Sequence, residues 1–138
     1  DGVKIAEKAM LPKAIIDFIR THHGRGKAKY FYNSFKNQYP DHEIDEEAFT
    51  YPGPNPFSKE TAVLMMADSV EAASRSLKEH TEENIRALVD KIIDGQIADG
   101  LMRNAPLTFK DVETVKNVFV EKLKIMYHTR ISYPDLKK

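Results

Sequence analysis

Apolar residues recur at helical spacing along most of the chain, and glycines and prolines stand between the periodic runs. Residues 2–10 form a short amphipathic segment. A second helix is expected from Leu11-Pro12, with Pro12 suited to a first-turn position; it carries Ile15, Ile16 and Ile19 and stops at Gly24. A third, over about 27–37, is rich in aromatics: Tyr30, Phe31, Tyr32 and Phe35. Residues 38–57 read as irregular, because Pro52, Pro54 and Pro56 exclude a helix interior. Ser58 is expected to cap a long helix running to about Glu79, with Glu60 in its first turn. The next helix starts near Thr81 and buries Ile85, Leu88, Val89, Ile92, Ile93 and Ile97, with Gly95 and Gly100 weakening its end. Thr108 caps the last, which presents Val112, Val115, Phe119, Leu123 and Met126. The tail at 131–134 reads as extended. No run alternates with a period of two, so the predicted fold class is all-α.

Composition narrows the chemistry. A chain of 138 residues suits one compact domain, or most of one. Lysine plus arginine number 21 and aspartate plus glutamate 21, and this balance argues against a DNA or RNA binder, which carries a basic excess. There is no cysteine, so disulfides and thiolate metal sites are excluded. Any metal must be held by imidazole, carboxylate and water, a set that suits iron, manganese or zinc. No run reaches the ~18 apolar residues of a membrane-spanning helix, and the chain is expected to be soluble as it stands. It opens at Asp1 rather than methionine, which reads as processing or as excision from a longer protein.

Three groups of residues could carry chemistry. His22-His23-Gly24 ends the second helix beside its Ile15, Ile16 and Ile19 stripe. One reading is a helix C-cap, since histidine suits the negative end of the helix dipole and glycine the left-handed position after it. The other is a metal site, since two adjacent imidazoles beside an apolar face are costly without partners. Asp68 interrupts the run from Ala62 to Ala67, with Leu64 and Ala72 four residues either side. Aspartate is a poor mid-helix residue and is seldom buried unpaired. An ion pair with Arg75, two turns on, competes with a ligand role, and Glu71 could take Arg75 instead. The third group is Arg25, Lys27 and Lys29 followed by Tyr30, Phe31 and Tyr32, which could grip phosphate and stack a base. Phe31 and Phe35, four apart, read instead as a buried aromatic face. His42, His80 and His128 read as surface residues, His80 as a helix C-terminal dipole partner.

The order of several stretches carries a resemblance. Asp1-Gly2-Val3-Lys4-Ile5-Ala6, Leu11-Pro12 and Ile19-Arg20-Thr21-His22-His23-Gly24 resemble the HD superfamily of metal-dependent phosphohydrolases. Tyr51-Pro52-Gly53-Pro54, Ser58-Lys59-Glu60-Thr61-Ala62, the run from Met66 to Arg75 and Thr129-Arg130-Ile131-Ser132-Tyr133-Pro134 narrow it. Together they are similar to the cytoplasmic HD domain of the seven-transmembrane HD proteins, the PgpH type.

The resemblance implies an all-α HD bundle that hydrolyses cyclic di-AMP to pApA with two divalent transition metals, manganese or iron. It implies His22 and His23 as paired metal ligands and Asp68 as the last aspartate ligand. Arg25, Lys27, Lys29 and Arg75 become candidates for the second phosphate, and Tyr30 for adenine stacking. The partner is a cyclic dinucleotide. The full-length protein is expected at the cytoplasmic face of the bacterial membrane, held there by upstream transmembrane helices. Arg25 departs from the family, which often has threonine after His-His-Gly. More seriously, the family's first histidine, its His-Asp dyad and a further histidine precede this stretch, whereas the first histidine here is His22. Residues 1–138 therefore read as the C-terminal portion of the domain, inactive alone, with self-association expected through faces its missing helices would cover. Two other readings stand beside this one. One is an HD phosphohydrolase acting on another nucleotide. The other is a non-catalytic helical binding or dimerisation module with a structural histidine pair.

Overall fold

A computed structural model describes residues 2–27, 29–51 and 53–130. The helices are α1 (Gly2–Lys8), α2 (Lys13–Thr21), α3 (Lys29–Gln38), α4 (Lys59–Ser74), α5 (Glu82–Ala98) and α6 (Phe109–Arg130). A 3-10 turn at Glu46–Phe49 interrupts the long connection after α3. Among the described residues there is no strand, only an isolated bridge between Lys27 and Thr50. The all-α expectation holds. The expected extended tail at 131–134 lies outside the described residues.

Local chemistry sets the helix ends. Ser58 and Thr61 cap α4 reciprocally: the Thr61 N–H donates to Ser58 Oγ at 3.1 Å, and the Ser58 N–H to Thr61 Oγ1 at 3.2 Å. Thr108 and Asp111 form the same box before α6, both bonds 3.0 Å. Pro12 stands at the N-cap of α2, one position before its expected place. Helix α4 ends at Ser74, five residues short of the expected Glu79. Helix α5 runs through Gly95 and is closed by Gly100, whose φ is +77°.

The chain divides into two compact units, Asp1–Met65 with Gln96–Pro106, and Met66–Gly95 with Leu107–Lys138. In the first, α1 packs on α2, α3 on the 3-10 turn, and Ala6, Thr21, Ala62, Met65, Leu101 and Met102 are buried. In the second, Met66, Val70, Ile85, Val89, Ile93, Val120, Leu123 and Tyr127 form the core. Ile85, Val89 and Ile93 follow the expected stripe. Ile97 does not: it is 40% exposed, at the end of α5 beyond that stripe's core partners. Phe31 is also a correction, at 64% exposed, whereas Phe35 leans on Phe49 and Tyr39.

Candidate functional site

The C-terminal end of α2 brings two imidazoles together. Thr21, fully buried, donates its hydroxyl to the Asp17 carbonyl at 2.7 Å. His22 follows in helical conformation, and its Nδ1 lies 2.8 Å from the Ile19 carbonyl and 3.2 Å from that of Phe18. Both neighbours are acceptors only, so Nδ1 is the donor and Nε2 is the nitrogen that would face a metal. A ligating histidine is oriented in this way when its other nitrogen is donated to a carbonyl. The His23 ring centroid lies 4.1 Å from that of His22.

Gly24 then turns the chain with φ +51°, its N–H donating to the Thr21 carbonyl at 2.8 Å. The loop from Thr50 to Asn55 closes on this turn. The Tyr51 N–H donates to the Gly26 carbonyl at 2.9 Å, and the Arg25 N–H to Asn55 Oδ1 at 2.7 Å. The Tyr51 ring stacks on His23 at 4.2 Å, with 10° between the planes. A methyl group at Gly24 would meet Asn55 Oδ1 at 2.7 Å, and one at Gly53 would meet Arg25 Cγ at 2.9 Å. His22, His23, Gly24, Tyr51, Gly53 and Pro54 line an open cleft of about 540 Å³, together with Gly2, Val3, Ile19 and Arg20.

The basic residues beside the cleft have acidic neighbours. Arg25 lies 3.5 Å from Glu47 and Lys27 3.3 Å from Glu46, both pairs solvent-exposed. Such pairs contribute little to stability and are easily exchanged for another anion. Lys27 also stands over the Tyr32 ring at 4.9 Å. The side chains of Lys29 and Tyr30 lie outside the described residues. His42 and His128 are exposed, as expected. His80 is half-buried rather than on the surface, and its Nε2 bonds the Ser74 carbonyl at the end of α4, the dipole role expected of it.

Asp68 belongs to the other compact unit, on an exposed face of α4; Leu64, four residues before it, is 44% exposed. Arg75 is taken by Glu71 in a two-pronged pair, Nε to Oε1 at 3.1 Å and Nη2 to Oε2 at 2.6 Å. That bond holds the guanidinium above its ordinary pKa, with Asp68 adding slightly. Of the two partners open to Arg75, Glu71 is the one that binds it. Among the described residues no three histidine, aspartate or glutamate side chains gather into a metal-binding group.

The chain is 40% identical over 138 residues to the cyclic-di-AMP phosphodiesterase PgpH of Bacillus subtilis (strain 168), covering all of this chain and 19% of that protein. It is 37% identical over 137 residues to the PgpH phosphodiesterase of Listeria monocytogenes serotype 1/2a (strain 10403S), again 19% of the relative. The crystal structure of the L. monocytogenes phosphodiesterase PgpH HD domain in complex with cyclic-di-AMP superimposes with a TM-score of 0.85 at 34% identity, over 91% of this chain and 58% of that one. A second crystal structure of the L. monocytogenes phosphodiesterase PgpH HD domain gives 0.84 at 33% identity, over 92% of this chain. The chain is similar to the PgpH-type HD domains over nearly its whole length. No family model matches it. It spans about a fifth of the length of the curated relatives and 58% of the solved HD domain.

The donor chemistry at the end of α2 fits a divalent transition ion. Two adjacent imidazoles border a cleft, and one of them has its proton fixed away from Nε2 by a backbone carbonyl. The sequence reading missed how the Tyr51–Asn55 loop serves the pair. Pro52, Pro54 and Pro56 marked a non-helical stretch, but nothing local says that Tyr51 stacks on His23 or that Asn55 caps the Gly24 turn. The usable signal was a pair of glycines, Gly24 and Gly53, each where a Cβ has no room.

Proposed function

We propose that this chain is part of an HD domain that hydrolyses cyclic di-AMP to linear pApA in a metal-dependent reaction. The observation that carries the reading is the His22 ring, whose Nδ1 is donated to the Ile19 carbonyl at 2.8 Å beside a second imidazole in a cleft. Likeness to proteins named cyclic-di-AMP phosphodiesterases, and to a domain crystallised with that nucleotide, supports the substrate.

His22, His23 and Asp68 are the metal ligands of this reading, for two ions of manganese or iron in the complete domain. When bound, such ions activate water and neutralise charge on the phosphate oxygens. His22 and His23 present their rings at the cleft wall, and Asp68 adds a carboxylate. Arg25, Lys27, Lys29 and Arg75 neutralise the second phosphate, with Arg25 and Lys27 exchanging Glu47 and Glu46 for it. Tyr30 stacks an adenine. Residues 1–138 make the C-terminal portion of the domain, and the His-Asp dyad comes from the rest of it. The family resemblance carries with it anchoring at the cytoplasmic face of the bacterial membrane; among the described residues no helix is long and apolar enough to cross one. Exposed Ile5, Met10 and Ile15 on and beside α1 and α2 support association with further helices or a second copy.

The complete HD domain carrying this sequence, supplied with manganese, is expected to convert cyclic di-AMP to pApA, followed by ion-exchange chromatography. Turnover of a linear dinucleotide or nucleoside phosphate without attack on cyclic di-AMP would assign another substrate. No turnover, with no metal retained through gel filtration, would leave a helical binding or dimerisation module.

A further inference from the structure

The two histidines are oriented by different devices. His22 is fixed from within its own helix, through Nδ1 and the Ile19 carbonyl. His23, one residue on, leaves the helix as Gly24 turns the chain, and lies flat against Tyr51 from a loop 28 residues away (4.2 Å between centroids, 10° between planes). We propose that Tyr51 is a positioning residue, whose ring sets the plane in which His23 meets a divalent metal ion. The inference rests on the metal-dependent reading above and deepens it by assigning a part to a residue that touches no reacting atom.

The loop is built to hold that ring still. The Tyr51 N–H is donated to the Gly26 carbonyl at 2.9 Å, and Lys27 and Thr50 pair as an isolated bridge. Four residues on, Asn55 Oδ1 accepts the Arg25 N–H at 2.7 Å. The turn carrying His23 is thus tied to the Tyr51 loop on both sides of the stack. The packing is close enough that Gly24 and Gly53 leave no room for a Cβ. A stack acts on the face of an imidazole and so fixes the plane of the ring. Partners that orient metal-ligating histidines without touching the ion typically carry about 10–100-fold in metal affinity.

The test uses the complete HD domain and cobalt(II), whose visible absorption reports the geometry of its ligands. Tyr51→Phe keeps the ring and should match the parent in cobalt affinity and spectrum. Tyr51→Leu keeps apolar bulk without the ring; it should bind cobalt about tenfold or more weakly, with an altered spectrum. In the metal-free protein, the His23 ring protons should be shifted upfield in the parent and in Tyr51→Phe, and lose that shift in Tyr51→Leu. If leucine at 51 prevents folding, Tyr51→Met makes the same comparison. Equal cobalt affinity and spectrum in Tyr51→Leu and the parent would overturn the proposal while leaving the metal reading intact. A parent that binds no cobalt would overturn both.

Discussion

The hydroxyls of Ser74 and Tyr127 meet at 2.7 Å, although 53 residues separate them in the chain. Ser74 is fully buried and sends its single proton to the Glu71 carbonyl at 2.6 Å, so Tyr127 must be the donor in the shared bond. The His80 ring lies flat on Tyr127 at 3.6 Å, and its Nε2 donates to the Ser74 carbonyl at 2.9 Å. His80, from the loop after α4, thus joins the Leu77 N–H on the last carbonyl of α4, while Tyr127 of α6 holds the Ser74 hydroxyl.

That arrangement gives the first prediction. Tyr127→Phe keeps the stacked ring and removes only the donor, and should cost about 1 kcal/mol. Tyr127→Ala removes a buried ring as well and should cost about 3–5 kcal/mol. Urea denaturation of the two variants separates hydrogen bond from packing. Equal stability of Tyr127→Phe and the parent would mean that the bond adds nothing.

The same corner shows what the sequence could and could not reveal. The stripe of Ile85, Val89 and Ile93 was legible because helical periodicity is a local signal, and all three are fully buried. Ser58 and Thr108 were legible as caps for the same reason. The end of α4 was not, because Ser74-Arg75-Ser76 contains no glycine or proline, and the contacts Ser74 makes with Tyr127 and His80 come from outside the helix. At the candidate site, the histidine pair stood out by composition and its family resemblance. The stacking of Tyr51 on His23 is a contact between loops, which no spacing rule reaches.

Lys116 on α6 reaches Asp94 at 2.7 Å and Asp90 at 3.4 Å, both on α5, with only 9% of its side chain exposed. The hydrogen bond to Asp94 raises its ammonium above the ordinary lysine value; burial opposes this, and the charges of Asp94 and Asp90 add to it. A group whose pKa is raised on folding stabilises the fold fully below its unfolded value. The contribution fades as pH climbs through the raised folded value. The pair should therefore be intact through neutral pH and lost above about 10.5, the ordinary value. Lys116→Met, which keeps the stem, should cost about 1 kcal/mol at neutral pH. Its penalty should shrink in strong alkali. A penalty that stays constant across the alkaline range would show packing, rather than charge, to be responsible.

The proposed metal ligands can be tested one at a time in the complete HD domain. His22→Ala and His23→Ala should each lower bound manganese or iron, measured by elemental analysis after gel filtration, and reduce cyclic di-AMP hydrolysis at least a hundredfold, order of magnitude, by loss of Lewis-acid chemistry. Chelator treatment of the parent should reproduce the loss, and added manganese should reverse it in the parent only. Asp68→Asn keeps the shape of the side chain and removes the charge. Full metal content in that variant would make Asp68 an ordinary exposed residue of α4, with Arg75 answered by Glu71 alone.

One backbone position carries strain that a single substitution should relieve. Helices α1 and α5 end in the same motif. After α1, the Leu11 N–H bonds the Ala6 carbonyl and the Met10 N–H that of Glu7, both at 3.1 Å. After α5, Leu101 bonds Gln96 at 3.1 Å and Gly100 bonds Ile97 at 3.0 Å. The residue at the turn is left-handed in both, with φ +58° at Met10 and +77° at Gly100. A side chain there costs about 1–2 kcal/mol, against about 0.5–1 kcal/mol of extra chain entropy for glycine. Met10 is 89% exposed, so its side chain gives back little packing. Met10→Gly should therefore stabilise the protein by about 0.5–1 kcal/mol, and Gly100→Ala should destabilise it by at least about 1 kcal/mol. Both are read from the denaturation midpoint at constant slope. A destabilised Met10→Gly would mean that the Met10 side chain makes a stabilising contact in solution despite its exposure.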